Sequence, residues 1–353
     1  VCSAVRAWTM GIVLAVVCLF GSATSRAQTG SSELTAPALL QTEQQSVLGD
    51  TLKERAPFSI NGKLESSLGQ GTFLRDDYER NPHFVWAVSV VPAYYPVQGV
   101  ALMAYVKLLQ DLTSSEVDSK RQQFLVSDTQ LRARWAVPLP TPHTQLFVEG
   151  RTYLPSSRVS QFETLLVGAV ARASAAHEFG PIGISLFTQF RKNFHRYRSP
   201  VLEDGGGGSI PSAFARSGGA EDIRGVSVAI AGNNVSFSTY GSASVSYSPL
   251  PGLSISLYYG LGRAWTYNRY GRDELASPNA TTGRGKRDSS VGGLDVSYRL
   301  NDRLSFSTGV VTIATPKTED NRSFRFPFYD FQSTASNLTL FYLDVTVTQL
   351  LGG

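Results

Sequence analysis

Cysteine is nearly absent from this chain, which holds two among 353 residues. Both, Cys2 and Cys18, lie near the N-terminus, so the rest of the chain has none. A disulfide framework, a thiolate zinc site and a cysteine nucleophile are therefore excluded beyond that point. Charge is scarce as well. Asp, Glu, Lys and Arg make up 17% of the residues, against about a quarter in soluble domains. Long apolar runs are missing too. After residues 10–20 no stretch approaches the roughly 18 apolar residues of a membrane helix. What remains abundant is Gly, Ser, Thr, Tyr and Phe, a balance that suits a sheet with one apolar face and one lined by small polar groups.

The N-terminus has the three-part layout of a secretory signal peptide. Val1–Thr9 carries Arg6 and no acid, Met10–Phe20 is apolar, and Ser25-Arg26-Ala27 is a small-x-small cleavage site. Residues 1–27 are read as the signal, with cleavage after Ala27. Cys18 would be the lipidated residue of a lipoprotein, but Val16-Val17 before it lack the small residue such a site needs. Residues 28–57 are polar and are read as a periplasmic extension, either a flexible leader or a segment that folds back as a plug. Ala38-Leu39-Leu40, Val47-Leu48 and Leu52 allow it a short amphipathic helix.

From Phe58 onward a period of two takes over. Leu253, Ile255, Leu257, Tyr259 and Leu261 alternate with Ser254, Ser256, Tyr258, Gly260 and Gly262. Successive strand residues point to opposite faces, so such a segment has one greasy side and one polar side. Twelve segments read this way: 58–68, 84–95, 100–110, 128–137, 144–154, 164–177, 182–194, 234–247, 253–267, 289–300, 304–315 and 337–350. Globular strands average about five or six residues, whereas a tilted membrane strand needs about 9–11.

Loop length sorts by parity. Alternate connections are short and rich in turn residues, as in Pro96-Val97-Gln98-Gly99, Glu178–Pro181, Pro249-Leu250-Pro251-Gly252 and Asn301-Asp302-Arg303. The intervening ones are mostly long and polar: 69–83, 111–127, 155–163, 195–233, 268–288 and 316–336. Short turns on one rim and long loops on the other are the pattern of transmembrane barrels. Aromatics gather near strand ends: Trp86, Tyr94, Tyr95, Trp135, Tyr153, Tyr197, Tyr247, Trp265, Tyr267, Tyr298 and Phe341. They read either as interfacial girdles or as ordinary strand aromatics.

The leader, the twelve alternating segments and the loop parity over Phe58–Leu350 resemble the general class of Gram-negative outer-membrane β-barrels. The resemblance implies an all-β fold, a transmembrane antiparallel up-and-down barrel over residues 58–353, in the bacterial outer membrane. One departure is plain. Members of the class commonly finish the last strand on an aromatic, and this chain ends Gln349-Leu350-Leu351-Gly352-Gly353.

With the apolar face toward lipid, the opposite face lines a lumen. It would carry Lys63, Glu65, Lys107, Arg132, Arg134, Glu149, Arg151, Arg172, Arg191, Asp295, Arg299 and Asp344. A lipid-facing Arg or Lys at midplane costs about 2–4 kcal/mol, which favours placing them inward. Arg132, Arg134, Glu149 and Arg151 fall on hairpin partners. They form either an anion-favouring constriction or an internal salt-bridge network that fills a narrow barrel. A second basic cluster, Arg191, Lys192, His195, Arg196 and Arg198, leads into the longest loop, and Arg269, Arg272, Arg284, Lys286 and Arg287 occupy another. At the outer rim, Lys192, His195, Arg196 and Arg198 are candidates for binding anions such as lipopolysaccharide phosphates, unless they are solvated loop charges offset by Glu203, Asp204, Glu221 and Asp222.

Catalytic patterns are thin. His83, His143, His177 and His195 show no metal-ligand spacing, and a His195–Asp204 pair with a loop serine has no spacing that favours it. Gly283-Arg284-Gly285-Lys286 lacks the spacing and context of a phosphate loop. Basic residues are not interleaved with a stacking platform for nucleic acid. The sequence therefore reads as a passive channel or solute-uptake pore with a mildly basic lumen, with outer-membrane lipids as partners, small solutes as cargo, and no cofactor, metal or nucleic acid. The alternatives are a closed barrel that recognises a partner or lipopolysaccharide through its outer loops and, less favoured, a lipid-modifying enzyme.

Overall fold

The computed structural model describes residues 57–69, 72, 84–113, 123–141, 143–157, 160–161, 163–198, 234–268, 284–314, 316–317, 324 and 338–351. Residues 1–56, which hold the segments read as signal and extension, and most of the long loops lie outside these residues.

Thirteen strands form one antiparallel sheet: β1 Phe58–Gly69, β2 Phe84–Val97, β3 Val100–Asp111, β4 Gln123–Val126, β5 Thr129–Val137, β6 Thr144–Leu154, β7 Leu165–Phe179, β8 Ile182–His195, β9 Val235–Leu250, β10 Leu253–Asn268, β11 Arg284–Arg299, β12 Leu304–Ala314 and β13 Leu338–Leu351. Strands pair with their sequence neighbours, except that β4 and β5 both pair with β3 and not with each other, and β13 pairs with both β12 and β1. The sheet is therefore a closed ring. β4 and β5 both lie against β3, separated by an interruption at Ser127-Asp128, so they make one wall position and the ring has twelve. The sequence pattern recognised that wall only from residue 128. Its outer part, β4, escapes because the four residues Gln123–Val126 are too few to show a period. β11 likewise begins at Arg284 rather than at residue 289, through a polar stretch whose strand character comes from pairing with β10.

The short connections are tight turns. Gly99, Gly180 and Gly252 adopt positive φ of 79°, 61° and 83°, a region other residues enter only at a cost. At Gly252 a side chain would also meet the Arg299 carbonyl at 2.7 Å.

Apolar alternation resolves into an outer face that none of the described residues covers. Leu64, Leu257 and Leu343 are 48%, 47% and 54% exposed, and Leu108, Val148, Ile184, Val245 and Leu294 share that face. Such a continuous apolar surface on a closed barrel is the lipid-contacting belt of a transmembrane barrel. Phe58, Tyr94, Trp135, Phe179, Tyr247 and Tyr298 mark its short-turn margin, and Phe84, Phe124, Phe194 and Tyr197 its long-loop margin. Tyr95 and Tyr153 do not belong to these girdles. Tyr95 points inward beside Ser59, at 3.4 Å between hydroxyls, and Tyr153 lies inside beneath Arg191. Neighbouring strand positions face opposite ways, so Tyr94 and Tyr95 cannot both meet lipid.

Inside, glycines admit tyrosines. Tyr240 lies over Gly260, Tyr258 over Gly293 and Tyr342 over Gly309, where an added Cβ would fall 2.1, 2.5 and 2.6 Å from the phenol oxygens. These tyrosines pack on a buried cluster of Val291, Val311, Ile313 and Leu340. Replacing Gly309 with valine must displace Tyr342 and crowd the Leu294 carbonyl, 2.2 Å from the new Cβ. A loss of roughly 1–3 kcal/mol is expected for such overpacking. Urea unfolding of the refolded barrel, followed by tryptophan fluorescence, should give a lower midpoint than the parent; an unchanged midpoint would refute the packing role.

Candidate functional site: the charged interior

Strand pairing brings the inward charges together at mid-height. Arg134 is opposite Glu149, Arg132 opposite Arg151, and Glu149 opposite Arg172. These five adjacent positions come from β5, β6 and β7, each charge on the same inward parity.

Glu149 is the hub. Its Oε2 accepts from Arg134, with Nε at 2.8 Å and Nη2 at 2.7 Å. Its Oε1 accepts from Arg151 and, at 3.2 Å, from Arg172 Nη1. The Glu149 and Arg151 side chains are only 4% and 2% exposed. Arg132 lies 4.4 Å over the Tyr105 ring and donates to Gln130 at 3.1 Å. Arg172 lies 4.6 Å over Phe187, and Arg191 4.4 Å over Tyr153 while donating to Asn193 at 2.7 Å. Guanidinium planes stack on aromatic faces more readily than ammonium groups do. Arginine is thus the cation that both pairs with Glu149 and packs flat against the wall.

A second network occupies β1, β3 and β13. Lys63 Nζ reaches Glu65 at 3.0 Å and Asp344 at 2.9 Å, and Lys107 pairs with the other oxygen of Glu65. Nearby, Tyr342 donates to Asp295 at 2.6 Å. β3, which carries Lys107 of this network, pairs with β5 of the first, so the two networks occupy adjoining arcs of the wall. Arg132, Arg134, Arg151, Arg172 and Arg191 answer Glu149 on one; Lys63 and Lys107 answer Glu65, Asp295 and Asp344 on the other.

Arg299 shares the inward parity but sits at the last position of β11, exposed at the short-turn rim, away from both networks. The outer-rim candidates separate. Lys192 belongs to the outer face of β8, bonding Ser236 at 2.6 Å with its Nζ 5.3 Å from the Tyr267 ring. His195 hydrogen-bonds through Nδ1 to the Glu163 carbonyl at 2.8 Å and meets Tyr267 edge-on. Arg196 lies over Tyr197, and Arg198 is exposed. Thr164, at φ 58°, fastens this rim: its carbonyl accepts from the Arg196 amide and its hydroxyl from that of Tyr197. His83, Glu203, Asp204, Glu221, Asp222, Arg269 and Arg272 lie outside the described residues, as do the side chains of Arg284 and Arg287. Among the described residues no group of His, Asp and Glu is placed to hold a metal ion.

Sequence reading missed the aromatic partners of the arginines and the glycine–tyrosine contacts. The signal for the latter was present as Tyr258 with Gly260 and Gly262 at alternate positions.

Replacing Glu149 with glutamine leaves Arg134, Arg151 and Arg172 without their shared carboxylate. A stability loss of roughly 3 kcal/mol is expected, the lower end for breaking a buried pair. Adding Arg151→Gln should recover part of it; a double variant no more stable than Glu149→Gln alone would argue against the hub.

No family model matches the chain, and no curated protein matches its sequence. Solved structures similar to it are outer-membrane barrels. The NanC porin is 7% identical, covering 81% of this chain and 98% of its own, with a TM-score of 0.42. An outer membrane channel from Pseudomonas putida F1 is 9% identical, covering 85% and 98%, with a TM-score of 0.47. The KdgM porin is 7% identical, covering 81% and 98%, with a TM-score of 0.39. The transmembrane barrel rests on this chain's own closed ring and exposed apolar belt.

Proposed function

We propose that the chain is a passive channel of the bacterial outer membrane whose narrowest zone favours small anions. The observation that carries this reading is the balance of inward charge. Lys63, Lys107, Arg132, Arg134, Arg151, Arg172 and Arg191 outnumber Glu65, Glu149, Asp295 and Asp344 at mid-height. Rings and clusters of fixed charge set pore selectivity by lowering the barrier for counter-ions. Carboxylates here hold the arginines in place without neutralising them, because Glu149 serves three at once.

A second reading is favoured by the same network's burial. Charges this enclosed can fill a barrel instead of lining a path. The protein would then be a closed barrel that meets lipopolysaccharide or a partner through the loop at 195–233, with His195, Arg196 and Arg198 at its base.

Purified, refolded protein in planar bilayers separates the two. Under a potassium chloride gradient the channel reading expects discrete conductance steps and a zero-current potential on the anion side. Arg132→Ala with Arg134→Ala should move that potential toward cations. Absence of any conductance would overturn the channel, and cation selectivity in the parent would overturn the anion preference.

A further inference from the structure

One pairing in the ring differs in kind from the rest. The other described pairings join strands close in the sequence, whereas β1 and β13 are the first and last strands of the sheet. Contacts between distant parts of a chain form late, because the long loop between them must be closed first. The β1–β13 seam is therefore the pairing that completes the barrel. Its regular part is short. Gly62–Gly69 runs against Leu340–Val347, and the register breaks between Gly62 and Ile60.

In the middle of that seam two carboxylates face each other. Glu65 on β1 is the register partner of Asp344 on β13, and their inward side chains are only 8% and 4% exposed. Like charges directly opposite on paired strands repel, and a low-dielectric surrounding strengthens the effect. The adjacent positions in their row supply no cation, since Ala87 follows Glu65 and Ser307 follows Asp344. Relief comes from the row beneath, toward the short-turn rim. Lys63 shares the face of Glu65 and places its Nζ 3.0 Å from Glu65 Oε1 and 2.9 Å from Asp344 Oδ2. Lys107, in the same row through Ser89, takes the other Glu65 oxygen from the β3 side. Among the described residues Lys63 is thus the cation that bonds both sides of the seam.

We propose that Lys63 is the closing latch of the barrel: it lets β1 dock on β13 in the right register and then holds the seam shut. Alternation rejects a slip of one residue, which would turn every side chain to the other face. It does not reject a slip of two, which keeps each face intact. The latch does, because Glu65 would then face Tyr342 or Thr346 instead of Asp344. The proposal is independent of whether the lumen conducts.

The test dilutes the urea-unfolded full chain into phosphatidylcholine vesicles. Closing is followed by the appearance of the compact, detergent-resistant band in unheated electrophoresis, and the closed barrel is then read by amide hydrogen exchange. Lys63→Met should slow closing about tenfold, a modest share of what breaking a buried ion pair costs. It should also raise exchange at Gly62–Gly69 and Leu340–Val347 by a similar factor, with the β7–β8 hairpin unchanged. Adding Asp344→Asn removes the repulsion and should restore most of both. Asp288→Asn, which breaks the Arg263 pair away from the seam, should leave seam exchange at the parent's level. If Lys63→Met does not close at all, the double variant must close. Parental closing by Lys63→Met, an equal rise of exchange in β7–β8, or a double variant no better than Lys63→Met would overturn the latch.

Discussion

An unpaired amide or carbonyl in hydrocarbon costs several kcal/mol, and everything else in this protein depends on avoiding it. The pairing of β1 with β13 does so. Residues Gly62 to Gly69 run in register with Val347 back to Leu340, so the first and last strands have no free edge. The last strand of that seam ends Gln349-Leu350-Leu351. Once the ring closes, strand alternation acquires a fixed meaning: odd and even positions belong to different solvents.

The inner face is lined by charge. Four carboxylates and seven cations lie at mid-height, held by two networks on adjoining arcs of the wall. Their arrangement follows from geometry more than from charge alone. An arginine can bond Glu149 with its edge and stack its face on Phe187 or Phe147. A lysine offers a compact ammonium, and in the other network Lys63 bridges Glu65 and Asp344 while Lys107 pairs with Glu65. Glycines opposite Tyr240, Tyr258 and Tyr342 let the phenols lie against the wall, so bulky residues occupy the interior without opening the sheet.

The outer solvent is lipid through most of the belt, and there the chain carries almost no charge. Its exceptions collect at the upper margin, around Phe237 and Trp265. Arg263 and Asp288 neutralise each other there, and Lys192 and Lys286 lie in the neighbouring row. Charge is thus sorted by depth as well as by face.

Much of this was legible in the sequence. Alternation, strands long enough to cross a membrane and loops sorted by parity determine a transmembrane barrel, because a period of two combined with a membrane's thickness leaves few other solutions. Parity also put Lys63, Glu65, Arg132, Arg134, Glu149, Arg151, Arg172, Asp295 and Asp344 on one face. Partnership was not legible. Glu149 lies 23 residues from Arg172 in the chain, and their pairing depends on the β6–β7 register. Tyr153 looked like a girdle residue until inward parity set it under Arg191, and Arg299 kept the right parity at the wrong height. Lys192 and Lys286 belong to segments far apart in the chain. Only four strands hydrogen-bonded side by side make them the two ends of one row.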